Sequence, residues 1–261
     1  MAIQMLHADV RFFPRVIYVD ETDRSSTIYL QNPSDEAKKY KLYFGYTDQD
    51  ETGKFIPEEP NQLNKDDRYG CEWLNVFPKR IELKAQEKQA IRISIKVPNE
   101  ISEGEYYCRL YAKSQPQPKE LDTSRPDVKT MINTVMVIGA PIHIRKGRPE
   151  LAMKATASIK EVSAKDLQLD IALDNPSATG FRGDLILEVA SKEGTALLHD
   201  MTKLTMQTSR RSLSHTLDIS KLPSGKHALG LYLADEDGTR KGFTFFKGEK
   251  LKIGEVVFEK P

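Results

Sequence analysis

The chain has little cysteine, no long apolar run, no excess of charge of either sign and no sustained helical period, and each shortage excludes something. Two cysteines, Cys71 and Cys108, cannot build a zinc site without histidines at ligand spacing, and none stands near them in the sequence. They leave two readings open: a disulfide, which needs an oxidising compartment, or a pair of buried thiols. Lys+Arg 39 against Asp+Glu 38 gives a formal charge of +1, so no global field draws the protein to nucleic acid or to an acidic membrane. The basic runs at Arg145 to Arg148 and Arg210-Arg211 are short and lack interleaved aromatics, and they read as solvated turns. No apolar run approaches the roughly 20 residues of a membrane-spanning helix. The opening Met-Ala-Ile-Gln shows no charged region followed by an apolar one, so no signal peptide is visible.

The usual carriers of chemistry are also missing. The five histidines, His7, His143, His199, His215 and His227, are scattered, with no metal-binding spacing among them. No serine sits in a G-x-S-x-G elbow, and no glycine-rich loop joins a strand to a helix to cradle phosphate. The expectation is therefore a protein that is not an enzyme and needs no cofactor or metal. One local pattern stands out: Asp48, Asp50, Thr52, Gly53 and Glu59 fall on the ligand and turn positions of an EF-hand calcium loop. That motif requires helical flanks, whereas here a strand pattern precedes it and Pro57 and Pro60 follow, so a polar loop between strands is expected.

What the chain does contain is strands. Val16 to Val19, Thr27 to Leu30 and Tyr40 to Tyr46 are rich in β-branched and aromatic residues. Ala90 to Val97 alternates cleanly, with Ile91, Ile93, Ile95 and Val97 on one face and Arg92, Ser94 and Lys96 on the other. Glu105 to Ala112 follows, and after Pro149 the pattern restarts at Leu167 to Leu173, Asp184 to Val189, Leu213 to Ile219, Ala228 to Ala234 and Gly242 to Phe246, with Asp237-Gly238 as a hairpin signal. Asn32-Pro33-Ser34 and Asn175-Pro176-Ser177 each punctuate an alternating strand. Regular short strands split by Gly, Pro and Asn predict an all-β chain of two immunoglobulin-like β-sandwich domains in tandem, residues 1–147 and 148–261. The segment Met131 to Ile144, MINTVMVIGAPIHI, is unlike the others. It is apolar on both faces through Val135-Met136-Val137-Ile138, which means either a central strand between two layers or a strand with one face kept for a partner.

Trp73 to Ile95, WLNVFPKRIELKAQEKQAIRISI, resembles a segment of the periplasmic pilus (fimbrial) assembly chaperones, the PapD-like family, with Pro78, Leu83, Gln89 and Arg92 in place. Arg15-Val16-Ile17-Tyr18 is similar to that family's T-R-V-I-Y, with Pro14 where the threonine stands. Arg148-Pro149 fits the Arg-Pro that opens its second domain, and Asn175-Pro176-Ser177 resembles its Asn-Pro-Thr turn. The likeness covers residues 10–150 well and 150–180 in part. Long inserts at Thr47 to Tyr69 and Ser114 to Lys129 mark a divergent member.

The resemblance implies two immunoglobulin-like domains with an inter-domain cleft, in the periplasm, with the leader peptide absent from this sequence. It implies donor-strand complementation, in which the last strand of the first domain is lent to a strand-deficient pilus or surface-fibre subunit. Whether an outer-membrane usher takes part is left open. Aligning Ile142-His143-Ile144 with the family's I-K-L places Ile132, Thr134, Met136 and Ile138 outward as donor residues, and Val135 and Val137 inward. The family anchors the subunit's terminal carboxylate with an Arg and a Lys. Arg15 matches the arginine, and His143 stands where the lysine would. The rival reading is a non-enzymatic tandem immunoglobulin-like structural or adaptor protein of the cell envelope.

Overall fold

A computed structural model describes residues 10–57, 68–115, 135–191, 195–235, 245–246 and 248–261. The chain divides into two compact units. The first takes its described residues from Met1–Tyr46, Glu58–Ser102 and Tyr106–Gly147, the second from Thr47–Pro57, Glu103–Glu105 and Arg148–Pro261. Apart from one 3-10 turn at Cys71–Trp73, every regular element among the described residues is a strand.

In chain order these are β1 (Arg11–Phe13), β2 (Ile17–Asp20), β3 (Ser25–Gln31), β4 (Lys38–Gly45), β5 (Thr47–Gln49), β6 (Phe55–Pro57), β7 (Leu74–Phe77), β8 (Arg80–Leu83), β9 (Lys88–Ile95), β10 (Gly104–Gln115) and β11 (Val137–Lys146). There follow β12 (Lys154–Val162), β13 (Asp166–Asp174), β14 (Phe181–Ala190), β15 (Ala196–Met206), β16 (Arg210–Asp218), β17 (Gly225–Asp235) and β18 (Lys250–Lys260).

The first unit is a sandwich of a four-stranded sheet, β1-β3-β9-β7, and a five-stranded sheet, β2-β11-β10-β4-β8. Alternation builds it. Ile91, Ile93 and Ile95 of β9 are buried while Ala90, Arg92 and Ser94 are exposed, and opposite them Ile28 and Leu30 of β3 are wholly buried. Leu42, Leu110, Ile142 and Ile144 close the core from the other sheet. Cys71 and Cys108 are joined, with Cα atoms 5.0 Å apart. Because Cys71 leads into β7 and Cys108 lies in β10, the bond ties one sheet to the other. It also decides between the two readings the sequence left open.

The second unit is also a sandwich, with sheets β12-β13-β16 and β15-β14-β17-β18 around a core that includes Leu167, Leu185, Leu187, Met206, Leu229 and Leu231. The β5–β6 hairpin belongs to this unit. Gln49 is buried, donates to the Gly53 and Thr205 carbonyls at 3.1 and 2.9 Å, and accepts from the Gln207 amide at 2.7 Å. The Ser212 amide donates to the Glu51 carbonyl at 2.7 Å, and the Arg211 guanidinium donates to the Thr205 carbonyl. At the tip, the Asp50 carboxylate accepts from the Thr52 amide and hydroxyl and from the Lys54 amide, at 2.9, 2.6 and 2.9 Å. The stretch that matches a calcium loop is thus a hairpin turn whose central carboxylate is occupied by its own backbone. Glu59 lies outside the described residues.

The two Asn-Pro-Ser stretches fold alike. Asn32 and Asn175 are both fully buried; each accepts from the amide two residues on (Ser34 or Ser177, 3.1 Å) and donates to the carbonyl four residues on (Glu36 or Thr179, 2.8 Å). A buried amide satisfied in this way fixes the turn and avoids the cost of an unpaired polar group.

Candidate functional site

The site is β11 and what surrounds it. On one edge β11 has β10 as its neighbour: the Ser114 amide donates to the Met136 carbonyl and the Met136 amide to the Ser114 hydroxyl, both at 2.8 Å. On the other edge it runs parallel to β2, but that ladder covers only Ile142 to Arg145, opposite Ile17 to Asp20. Among the described residues nothing pairs with the β2-side edge of β11 between Val137 and Pro141. The foot of the strand is pinned by Glu21, whose amide donates to the Arg145 carbonyl at 3.0 Å and whose carboxylate meets the Lys146 ammonium at 2.8 Å. That hydrogen bond with Lys146 holds the Glu21 carboxyl below its ordinary range.

Side-chain parity along β11 is set by Ala140, Ile142 and Ile144, all packed in the core. Counting back in twos brings Ile138 against the same core, with Met136 half-buried. The opposite parity leaves Val135 42% and Val137 47% exposed. The register expected from the alignment is therefore reversed: Val135 and Val137 point out, and Ile138 packs inward. The alternating pattern cannot settle this on its own, because a strand apolar on both faces reads the same in either parity. Ile132 and Thr134 lie outside the described residues.

The two anchor candidates lie near the same end of the β2–β11 ladder. Arg15 is exposed in the bend just before β2. His143 is only 4% exposed, set opposite Tyr18, with its ring 5.0 Å from that of Tyr18 and 5.4 Å, edge-on, from that of Tyr107. The imidazole is walled in by aromatic rings, while the guanidinium reaches solvent.

The outer face of this sheet continues from Val137 onto the neighbouring strands. A β-carbon on Gly139 would stand 2.7 Å from the Arg109 side chain and 2.8 Å from the Tyr111 ring, so glycine is what lets β11 lie under those groups. The Tyr111 ring stacks on that of Tyr43 at 5.3 Å. A hollow of about 490 Å³ is lined by Lys41, Tyr43, Lys113, Ser114, Gln115 and Val135. Among the described residues no group of three or more His, Cys, Asp or Glu side chains is placed to hold a metal ion, and no helix is long and apolar enough to cross a membrane. Sequence reasoning missed Val135 and Val137 as the outward pair; the burial of Ile142 and Ile144 is the signal that finds them.

No protein-family model and no curated protein sequence matches the chain. Solved structures do. The class 5 fimbriae chaperone CfaA is 15% identical, with 97% of this chain and 99% of that one covered, at a TM-score of 0.46. A chain of the CsuC–CsuE chaperone–tip adhesion subunit pre-assembly complex of Acinetobacter baumannii is 11% identical over 94% of this chain and 98% of its own, at 0.48. A chain of the Salmonella enterica SafA pilin–SafB chaperone complex is 12% identical over 96% and 95%, at 0.41. These likenesses concern the fold.

Proposed function

We propose that the protein is a periplasmic assembly chaperone that binds a strand-deficient pilus or surface-fibre subunit and completes it by donating β11. The observation that carries this reading is the pairing of two features on one strand: Val135 and Val137 stand exposed, and the adjoining β2-side edge is unpaired among the described residues. An exposed edge with apolar side chains is an aggregation hazard for an isolated protein, and it is the feature strand addition uses. A partner pairing with that edge would gain backbone hydrogen bonds, and its core would close around the two valines.

The Cys71–Cys108 bond supports the location, since disulfides persist in oxidising compartments such as the periplasm. In this reading Arg15, exposed just before β2 and the β2–β11 ladder, supplies the charge for the subunit's terminal carboxylate, while His143 sits in its aromatic wall. Binding and release need no cofactor, because the folding of the subunit supplies the free energy. The test is affinity purification of the tagged chain from the native envelope. The unaltered protein should bring down one small all-β subunit in stoichiometric amount, and Val135→Asp/Val137→Asp should bring down none while melting normally. Undiminished capture by that variant refutes the proposal.

A further inference from the structure

The outer face of the five-stranded sheet carries a row of cations that strand register makes unavoidable. Lys113 of β10 lies opposite Lys41 of β4, and Lys41 lies opposite Arg80 of β8, so three positive side chains stand side by side across three strands. All three are exposed. Like charges directly opposite one another oppose sheet pairing. The next row shows the ordinary remedy: Lys39 sits opposite Glu82 and pairs with it at 3.5 Å. Among the described residues no carboxylate does this for Lys41, Lys113 or Arg80.

The row adjoins the site. Lys41 and Lys113 line the same 490 Å³ hollow as Val135 and Tyr43. A subunit whose core closes around Val135 and Val137 must stand on this outer face, and its flank then overhangs β10 and β4. We propose that the partner presents an acidic segment there, laid across Lys113, Lys41 and Arg80. This rests on the strand-donation reading and adds the chemistry of the partner to it. Charge at an interface rim speeds encounter and excludes wrong partners more than it deepens affinity, so the row selects among subunits that all offer an open edge.

The test titrates the full chain, isotope-labelled, with two short peptides, one alternating valine with glutamate and its counterpart alternating valine with lysine. The glutamate peptide should bind about tenfold tighter at low salt, as three partly screened ion pairs would give. It should shift the resonances of Lys41, Lys113 and Arg80, and the preference should shrink as salt rises. Lys41→Gln/Lys113→Gln should abolish the preference without changing thermal melting. Equal binding of the two peptides, or a preference that survives the double variant, overturns the inference. So does displacement of the glutamate peptide by vesicles of phosphatidylglycerol, which would make the row a lipid-facing patch. Val135→Ser/Val137→Ser separates the two readings. Loss of envelope subunit capture by that variant with the peptide preference intact supports both, whereas capture and preference both intact refutes strand donation and leaves the acidic-partner row standing.

Discussion

Val137→Asp and Ile138→Asp, one residue apart, should fail in opposite ways. Val137 already has 53% of its surface covered, leaving 47% for a partner to cover. Full burial of a large aliphatic side chain is worth roughly 1.5–3 kcal/mol, so closing the remaining half contributes about 1 kcal/mol to binding. A carboxylate in the same place must be desolvated inside the partner's core, which costs on the order of 3 kcal/mol more. Together these give about 4 kcal/mol, or roughly a thousandfold loss of affinity. In the free protein the same aspartate points into water, so stability should stay within about 0.5 kcal/mol. Ile138 packs against the core, and an aspartate there should cost the chain itself more than about 3 kcal/mol. The assay is paired: thermal melting by circular dichroism, and capture of the envelope subunit on a tagged chain. The reasoning is refuted if Val137→Asp captures as before, or if Ile138→Asp melts like the unaltered protein.

Other outcomes follow from the same structure. Cys71→Ser/Cys108→Ser should lower the stability of the first unit by about 4 kcal/mol, the loop-closure value for a separation of 37 residues; a loss under about 1 kcal/mol in a reductant-controlled melt contradicts that. Asn32→Ala removes an amide that donates to three carbonyls, those of Glu36, Leu83 and Lys84, and should cost about 2–3 kcal/mol in chemical denaturation; a change under about 0.5 kcal/mol would show that the turn holds without it. Gln49→Ala should destabilise the second unit by about 1–3 kcal/mol although it lies in sequence within the first, which amide exchange on β15 and β16 can resolve. Acid should destabilise: Glu21, Asp170 and Asp218 are held below ordinary values of 4.5, 3.8 and 3.8 by hydrogen bonds from Lys146, Ser214 and Ser220, respectively. A depressed carboxyl contributes stability above its unfolded value and loses it as pH falls through the folded one. Melting should therefore be flat from about pH 7 to 5 and fall below about pH 4.

Much of the fold was legible because burial on one face writes a period of two into the sequence. β9 and β13 show this: their apolar positions, Ile91, Ile93 and Ile95 in one and Leu167, Leu169, Ile171 and Leu173 in the other, are the buried ones. β18 escaped notice although it buries Ile253 and Phe258, and two other strands that escaped have less to bury. β12 has no fully buried position among Lys154–Val162, and its inward alternation rests on the small Ala155 and Ala157, a weak signal, while β15 exposes Leu197 and Met201 beside the half-buried Leu198, which blurs its alternation. The Asn-Pro-Ser turns were visible, because asparagine before proline has few alternatives. The pairing of cysteines was not, since two thiols at any separation are compatible with both states until the sheets are placed. At β11 the sequence marked the strand, while the structure turns the opposite face outward from the one expected. Parity there is fixed by contacts with the opposite sheet, which no local pattern records.

The contrast between strands bears on what β11 is for. Natural sheets protect their edges with charge, and several edge strands of the second unit do so: β12 carries Lys154 and Lys160, β15 Lys203, β16 Arg210, β18 Lys250 and Lys252. From Val135 to Ile144 there is no fixed charge, and the exposed positions at the open end are two valines. Among the described residues β7 is also an uncharged sheet edge, with Phe77 exposed, and what sets β11 apart is a pair of exposed valines of one parity ahead of a ladder that begins only at Ile142. Lys113 and Lys41 sit one and two strands away, in a row facing outward that charges the surface beside the edge. That arrangement suits an edge that must accept one kind of strand and turn others away. Adding a single lysine by Val137→Lys should accordingly leave melting unchanged, abolish subunit capture and raise solubility at high protein concentration; capture that survives the lysine would mean the bare edge serves no partner.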